Sequence, residues 1–278
     1  MSMIVNTNVL SLITQTDMSN NTNKLNNAVE QLSSGLRINS AMDDPAGLAI
    51  GTAMQSQVSG MNQGVINANA AISLAQTADG ALGSVTNMLQ QMRSLAVEAA
   101  NGTNNSTSDA DLDAEYQQLA TQVNQTLSNT QFNGQSIFTQ SGTQTYQVGA
   151  NTIDVIGVAG MNISGTAALA AGTGGLGDLL TQTDASTAIS AIDTALSLVN
   201  TTRSTNGANE IRFQQVVSSM QVNSQNTASA ESQIMDTDYA QATSKLTQAQ
   251  IVQQAGTAML SQANSIPQNV LSLLSKLP

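Results

Sequence analysis

The amino-acid sequence repeats apolar residues at alternating steps of three and four over most of its length, and no other feature constrains the fold as strongly. Such steps place apolar side chains on one face of a helix. The longest run extends from Pro45 to Ala100 and stops at the turn-forming residues 101–105. A helix of that length would span on the order of 80 Å, which is too long for a compact globule. The pattern therefore predicts long helices that pair along narrow apolar seams, as in a coiled coil.

A shorter run precedes this helix and another follows it. The first extends from Met18 to Leu36, and the punctuated stretch 39–47 ends it. There Asp44 suits a helix cap, and the proline after it suits the first position of a new helix. Residues 109–129 carry the next run, which ends at an Asn-Gly turn. The first half of the chain therefore predicts three helices.

The helical period disappears between residues 137 and 177 and then returns. Alternating apolar residues in this interval predict short strands: Tyr146, Val148, Ile153 and Val155. The Ala/Gly/Thr-rich run 167–177 predicts an exposed loop. A heptad then continues from Ile189 to Ile234, and polar members such as Asn206 would weaken the seam or fix its register. A final helix follows, which Pro267 must kink or end.

We therefore expect a mainly α fold. Its parts are a rod of long antiparallel coiled-coil helices, a small β or irregular central segment at the tip, and paired terminal helices. The order of segments is near-palindromic, so both ends of the chain should lie together. The expected domains are the terminal helices 1–44 with 236–278, the rod 45–136 with 184–235, and a short outward-facing segment 137–183.

Composition excludes most kinds of chemistry. The 278 residues contain no histidine and no cysteine, so the chain has no imidazole base, thiol nucleophile, disulfide or zinc site of the usual Cys/His kind. With 18 acidic against 7 basic residues the net charge is -11, which argues against nucleic acid as a partner. Aromatic residues make up only 2%, too few for the ring-filled core of a typical enzyme. We expect no enzymatic activity, no cofactor and no bound metal.

The sequence carries neither a conventional export signal nor a membrane span. The first basic residue is Lys24, and Asn, Thr and Ser interrupt the apolar residues near the N-terminus. No run approaches the roughly 18 consecutive apolar residues of a membrane helix. We expect no membrane partner, and an exported protein would keep its first residues.

Three acidic clusters are candidates for a catalytic or metal-binding site: Asp43 with Asp44; Asp236 with Asp238; and Asp109, Asp111 and Asp113. Two carboxylates across a cleft could hydrolyse a glycosidic bond, but sequence spacing cannot establish such a cleft. Helix caps and break points are the favoured interpretation of the first two clusters. The third superficially resembles a calcium loop but lacks the required Gly and Glu, so it predicts acids at the start of a helix.

Four longer segments closely resemble bacterial flagellin and occur in the family's order. They are LSSGLRINSAMDDPAGLAI (32–50), AISLAQTADGAL (71–82), TQFNG (130–134) and QAGTAMLSQANSIPQNVLSLL (254–274). The resemblance covers roughly residues 1–138 and 189–274. Four long segments are far more specific than a short motif.

The resemblance implies a filament subunit whose terminal helices pair coaxially around a central channel and whose central segment faces outward. It also implies export in an unfolded state through the flagellar type III apparatus. The implied partners are further copies of the chain, the flagellar cap, the hook-junction proteins and an export chaperone. A hook-filament junction protein of the same axial family is an alternative, and a secreted glycan hydrolase is a second alternative from another class. One departure from many flagellins is the segment 231–234, where Glu-Ser-Gln-Ile replaces an Arg-x-Arg pattern beside the isoleucine, so one or two ion pairs between helices are expected to be absent.

The apolar seams of the two terminal helices are the candidate self-assembly positions: Leu25, Val29, Leu32, Leu36, Val252, Ala255, Met259 and Ile266. Because these seams are thin and ordering a residue costs roughly 1–2 kcal/mol, we expect the terminal helices to be poorly ordered in the free monomer. The resemblance also implies a contact site for the Toll-like receptor of flagellin at Gln90, Gln91, Leu95, Glu98 and Glu115. Gln91 stands where an Arg is common, so weaker recognition is expected.

Overall fold

The computed structural model describes residues 7–163, 169 and 175–274, and for residues 268–274 it describes the backbone alone. Within these residues helices dominate, and the mainly α prediction is confirmed. The elements in chain order are α1 Val9–Ser34, α2 Pro45–Ala99, α3 Ser106–Asn129, β1 Gln131–Phe132, β2 Gln135–Ser136, β3 Thr143–Gln147, β4 Val155–Ala159, α4 Gln182–Met235 and α5 Tyr239–Leu274. The chain divides into a terminal unit, residues 1–56 with 226–278, and a central unit, residues 57–225.

In the terminal unit α1 and α5 pack as an antiparallel pair. The Nδ2 atom of Asn8 donates to the carbonyl of Ala263 over 2.8 Å, and that of Asn21 donates to the carbonyl of Ala249 over 2.8 Å. Residue numbers that rise along one helix therefore fall along the other. Two asparagines thus fix how far α1 is shifted along α5.

The first helix ends earlier than the sequence pattern predicted. Gly35 adopts a left-handed φ of 75° and caps α1 directly after Ser34, because glycine takes this conformation without a steric penalty. Leu36 therefore lies beyond the helix, where it forms an isolated antiparallel bridge with Asp236. The predicted extension of the helical run through Leu36 is wrong.

Pro267 does not end α5, which continues to Leu274. A proline has no backbone N–H, so the carbonyl four residues earlier loses its helical donor. That carbonyl belongs to Ala263, and the Asn8 side chain supplies the missing hydrogen bond. A residue 255 positions away thereby satisfies the group that the proline leaves open.

The central unit has its core between α2, α3 and α4. Leu89, Leu127 and Ile192 are among its fully buried members, one from each helix. Helices α2 and α4 run antiparallel: Asp79 of α2 pairs with Arg203 over 2.8 Å, and Arg93, further along α2, pairs over 2.8 Å with the earlier residue Asp193 of α4. The helix α3 begins three residues before the predicted start because the preceding asparagine caps it.

Two short antiparallel hairpins follow α3. The Asn133–Gly134 turn joins β1 to β2 with φ values of 51° and 77°, as the Asn-Gly signal predicts. In the second hairpin Thr143 pairs with Ala159 and Gln147 pairs with Val155. This hairpin packs on α4 through Tyr146, whose ring meets Phe213 edge-on at 5.4 Å.

The predicted exposed loop 167–177 is contradicted at both of its described ends, while residues 167, 168 and 170–174 lie outside the described part of the chain. Leu169 and Leu176 are completely buried in the core of the central unit. The hydroxyl of Tyr116 donates to the carbonyl of Leu176, and burial raises the pKa of this tyrosine above its usual range. The run therefore contributes two leucines to the core, although the small residues around them predict a loop.

Candidate assembly surface

The buried side chains of the contact between α1 and α5 are small or polar. On α5 they are seven and fourteen residues apart, and the full set is Ser11, Asn21, Ala28, Ala242, Ala249 and Ala263. Small side chains let the two helix backbones approach closely, but each removes little apolar surface from water. The pair is therefore held by close packing and by asparagine hydrogen bonds rather than by a broad apolar seam.

The predicted assembly positions lie mainly outside this contact. Val29, Val252, Met259 and Ile266 are exposed by 48%, 47%, 57% and 39%, and Ala255 is also exposed, whereas Leu25, Leu32 and Leu36 are partly buried. On α5 the predicted seam is offset by one residue from the contact, so that Val252 precedes the partly buried Gln253. The structure thus does not bring the two predicted apolar seams together within one chain.

These exposed side chains belong to a larger set of exposed apolar residues in the terminal unit. Its other large members are Val9, Leu10, Leu12, Ile13, Met42, Ile50, Tyr239 and Ile251. Large apolar side chains that a helix pair leaves exposed are available for association with another protein. We call this set, together with Val29, Val252, Met259 and Ile266, the apolar surface of the terminal unit.

A polar groove of about 680 Å³ also lies between α1 and α5. Lys24 and Lys245 line it together with Asp17. In the described part of the chain neither lysine forms an ion pair, although the Nζ atom of Lys245 lies 3.3 Å from the Oε1 atom of Gln241. The groove therefore gives this acidic protein a local positive charge beside its apolar surface.

The two acidic clusters at the helix breaks supply helix caps and close a turn. Asp43 accepts hydrogen bonds from the backbone and hydroxyl of Ser40, which lower its pKa. Asp44 accepts from the N–H of Gly47 over 2.9 Å at the start of α2. Asp238 accepts from the first N–H groups of α5 in the same way. The interpretation of these carboxylates as caps and break points is confirmed for these three residues, since Asp44 and Asp238 cap helices and Asp43 closes the turn at the break between α1 and α2.

The third acidic cluster lies in the first turns of α3. Asp113 accepts a hydrogen bond from the N–H of Leu179 over 2.9 Å, and Asp109 belongs to the first turn of the helix. Among the described residues no group of three or more potential ligands could hold a metal ion. The carboxylate of Asp113 thus joins α3 to the segment before α4, a role that sequence spacing could not indicate.

The receptor-contact candidates lie on the central unit. Gln90, Gln91 and Glu98 are exposed on α2, and Glu115 is exposed on α3. Leu95 is partly buried and packs against the helical core. Four of the five side chains are therefore available to a partner, and the fifth is tied to the core.

Two long segments of the chain match the two helical regions of one protein family. Residues 5–143 match the bacterial flagellin N-terminal helical region, and residues 189–274 match the bacterial flagellin C-terminal helical region. No described helix is both long enough and apolar enough to cross a membrane.

Curated relatives match along almost the whole chain. A flagellin of Halalkalibacterium halodurans is 41% identical over 276 residues, which cover 98% of this chain and 100% of the relative. The flagellar filament 33 kDa core protein of Treponema phagedenis is 36% identical, with 98% and 100% covered. Among solved structures, a putative flagellar hook-associated protein of Vibrio parahaemolyticus has a TM-score of 0.58 at 14% identity, over 70% of this chain and 100% of that one. This last likeness concerns the fold alone.

Proposed function

The chain belongs to the bacterial flagellin family and is a structural subunit of the extracellular flagellar filament, and from that premise we propose that α1 and α5 form its polymerisation device. The observation that carries the proposal is the apolar surface of the terminal unit. Its members include four of the five exposed positions of the predicted assembly seam, Val29, Val252, Met259 and Ile266.

Further copies of the chain are the partner that this surface fits. Covering a large apolar side chain yields about 1.5–3 kcal/mol, so several such side chains on each copy would drive association. The surface on α5 differs from the face that contacts α1, so one copy can keep its own helix pair while it binds the next. Contacts of this head-to-tail kind extend into a helical polymer when the rotation between copies does not close.

The terminal helices would be weakly ordered before assembly. Helix α1 has 26 residues, of which Ser11, Asn21 and Ala28 are buried within the chain. Backbone ordering costs roughly 1–2 kcal/mol per residue, and three small or polar side chains cannot offset that cost for the whole helix. Neighbouring subunits would supply the missing burial. Asn8 and Asn21 would then fix the register of the pair as it forms.

The same proposal assigns a role to each part of the chain. The terminal helices 1–44 with 236–278 would form the filament core, and the long helices 45–136 with 184–235 would form the surrounding rod. The segment 137–183 would face outward. The subunit would leave the cell unfolded through the flagellar type III apparatus and would meet an export chaperone, the hook-junction proteins and the cap.

We also propose that the subunit works without catalysis. Its relatives are structural proteins by name. Its full sequence has no histidine and no cysteine, Asp44 and Asp238 cap helices, and Asp43 closes the turn before α2. Turnover of peptidoglycan by the purified protein would contradict this part of the proposal.

Point substitutions on α5 test the assembly surface. We expect Met259→Asp to abolish seeded polymerisation, because the subunit interface would bury an unpaired carboxylate. Gln254→Asp is the matched control, since it adds the same charge at an exposed polar position five residues away. Sedimentation and negative-stain microscopy would measure polymer. Equal loss of polymer in both variants would show that added charge acts without regard to the apolar surface.

Truncation and proteolysis test the ordering of the ends. Deleting residues 1–34 or 251–278 should abolish filaments and leave residues 45–234 folded, as circular dichroism would measure. Protease should trim both ends of the free monomer and spare them in the polymer. A full-length monomer that resists trimming at both ends would contradict the proposed disorder-to-order transition.

We further propose that exposed residues of α2 and α3 form the contact site for the Toll-like flagellin receptor. Gln90, Gln91, Glu98 and Glu115 are available at the surface, which supports the proposal. Gln91→Arg should raise potency in a reporter-cell titration, because a guanidinium offers a bidentate donor that an amide lacks. Unchanged potency would argue that these residues serve filament packing alone.

A further inference from the structure

A cavity of about 250 Å³ lies inside the central unit between α2, α4 and the two hairpins. Phe132, Tyr146 and Phe213 line it. The whole chain has only three tyrosines and three phenylalanines, so half of its aromatic residues converge on this cavity. The concentration of rings gives the cavity a flat apolar wall in a protein that is otherwise poor in rings.

Two buried asparagines on α4 face the same space. Asn206 and Asn209 are 5% and 8% exposed, and both line the cavity. The Nδ2 atom of Asn206 donates to the carbonyl of Ala75 over 2.7 Å, so its Oδ1 atom is the free acceptor. The Oδ1 atom of Asn209 accepts from the Nη1 atom of Arg212 over 3.2 Å, so its Nδ2 group is the free donor. Within the described part of the chain neither free atom has a hydrogen-bond partner.

Neither free asparagine atom is among the side-chain atoms that the described residues bury without a partner, so both are open to the cavity, where water or a ligand can occupy their hydrogen-bonding sites. The hydrogen-bond partners distinguish the nitrogen of each asparagine amide from its oxygen, because a carbonyl requires a donor and a guanidinium requires an acceptor. The cavity therefore presents one donor and one acceptor three residues apart on one helix. A secondary amide carries the complementary pair in a single group.

Among the described residues that line the cavity none carries a charge, so a neutral ligand suits it. The amides of Gln135, Gln140 and Gln144 surround the rings and can bind hydroxyl groups. Burial raises the pKa of Tyr146, so its hydroxyl stays protonated and can donate as well. The volume falls just below the roughly 300–1,000 Å³ of drug-sized pockets, which limits the ligand to about one sugar ring.

We propose that this cavity binds a small neutral ligand with a secondary amide beside an apolar ring face, the chemistry of an N-acetylated amino sugar. The acetamido group lies against Asn206 and Asn209, and the C–H face of the sugar ring lies against the aromatic wall. The hydroxyl groups meet the surrounding glutamine amides. All residues of this binding site belong to the central unit, whereas the proposed assembly surface belongs to the terminal unit.

Ligand-detected NMR on the full-length protein tests the proposal with three probes. N-acetylglucosamine should show saturable binding, with the strongest saturation transfer to its acetamido methyl group. Glucose should bind about tenfold more weakly or worse, because it lacks the group that makes two of the hydrogen bonds. N-acetylalanine methylamide distinguishes a peptide amide from a sugar: preferential binding of this probe would overturn the carbohydrate assignment. Equal binding of the two sugars, or no saturable binding, would show that water alone serves the asparagines.

A substitution locates the binding site. Asn209→Leu removes the free donor and should weaken N-acetylglucosamine binding about tenfold. Asn223→Leu is the matched control, since it makes the same change at an exposed position of α4 outside the cavity. Circular dichroism verifies that both variants are folded. If Asn209→Leu unfolds, the chemical shifts of Tyr146 and Phe213 in the unmodified protein provide the same test, because bound N-acetylglucosamine should change them. Unchanged chemical shifts at saturating sugar would overturn the proposal.

Discussion

Leu176 provides the strongest test of how the central unit is held together. Its side chain is completely buried, although it follows a run of small residues that resembles an exposed loop in sequence. The carbonyl of Leu176 accepts from the hydroxyl of Tyr116, and the N–H of Leu179 donates to Asp113. Leu176→Ala would remove the buried side chain while the backbone hydrogen bonds keep their partners.

The expected magnitude follows from burial. Truncating a fully buried leucine to alanine costs about 2–5 kcal/mol, because transfer free energy is lost and a cavity is left. For a unit of this size each kcal/mol lowers the melting temperature by about 2–4 °C. We therefore expect Leu176→Ala to lower it by roughly 4–20 °C.

Leu180→Ala is the matched control. Leu180 lies four residues further along and is 54% exposed. Its truncation should change stability by about 0.5 kcal/mol or less. Calorimetry would measure the melting temperatures of the full-length variants. Hydrogen exchange of the α3 amides would assign the change to the central unit, because protected core amides report its global stability.

Equal shifts for the two leucine variants would refute this account. Such a result would mean that the segment before α4 contributes no core in solution. It would also mean that residues 167–177 form the exposed loop that the sequence predicts, so that their deletion would be harmless. On the structure, that deletion removes both Leu169 and Leu176 and should destabilise the subunit by about 4 kcal/mol or more.

Three further outcomes are expected. Asn8→Ala should raise the critical concentration for assembly, and the effect should shrink by about 1 kcal/mol in a Pro267→Ala background, where the helix regains its own donor; additivity in the double-mutant cycle would contradict the coupling. In α2, Gly80→Ala should stabilise by about 0.5–1 kcal/mol because its added Cβ meets open space, whereas Gly64→Ala should destabilise because its Cβ would overlap a backbone carbonyl; denaturant titration compares the two. The hydrogen bond from Arg203 lowers the pKa of Asp79. The ionised carboxylate therefore stabilises the fold above about pH 4, and this contribution is lost as the pH falls through the lowered pKa. Substitution of Asp79 by Asn should therefore cost about 1 kcal/mol or less at neutral pH and nothing in strong acid, and a constant cost across pH would contradict the assignment.

The sequence by itself determined the helical framework. Heptad spacing is a local property of the chain, and it predicted α2 from Pro45 to within one residue of its end at Ala99. The cap at Asp44 and the turn at Asn133–Gly134 were also readable, because a proline restricts the backbone at its own position and a glycine permits the left-handed conformation that this turn requires. The likeness to flagellin followed from long segments of matching residues.

Tertiary structure alone decided which face of each terminal helix meets its partner within the chain. The pattern identified Val252 and Met259 as apolar, but whether such a side chain is buried by its own chain or left for another copy depends on the backbone distance between α1 and α5. The small residues Ala249 and Ala263 permit the closer approach, and so they form the contact while the larger side chains stay exposed. The hydrogen bond from Asn8 had no local signal, because its acceptor becomes available only through a proline at the other end of the chain.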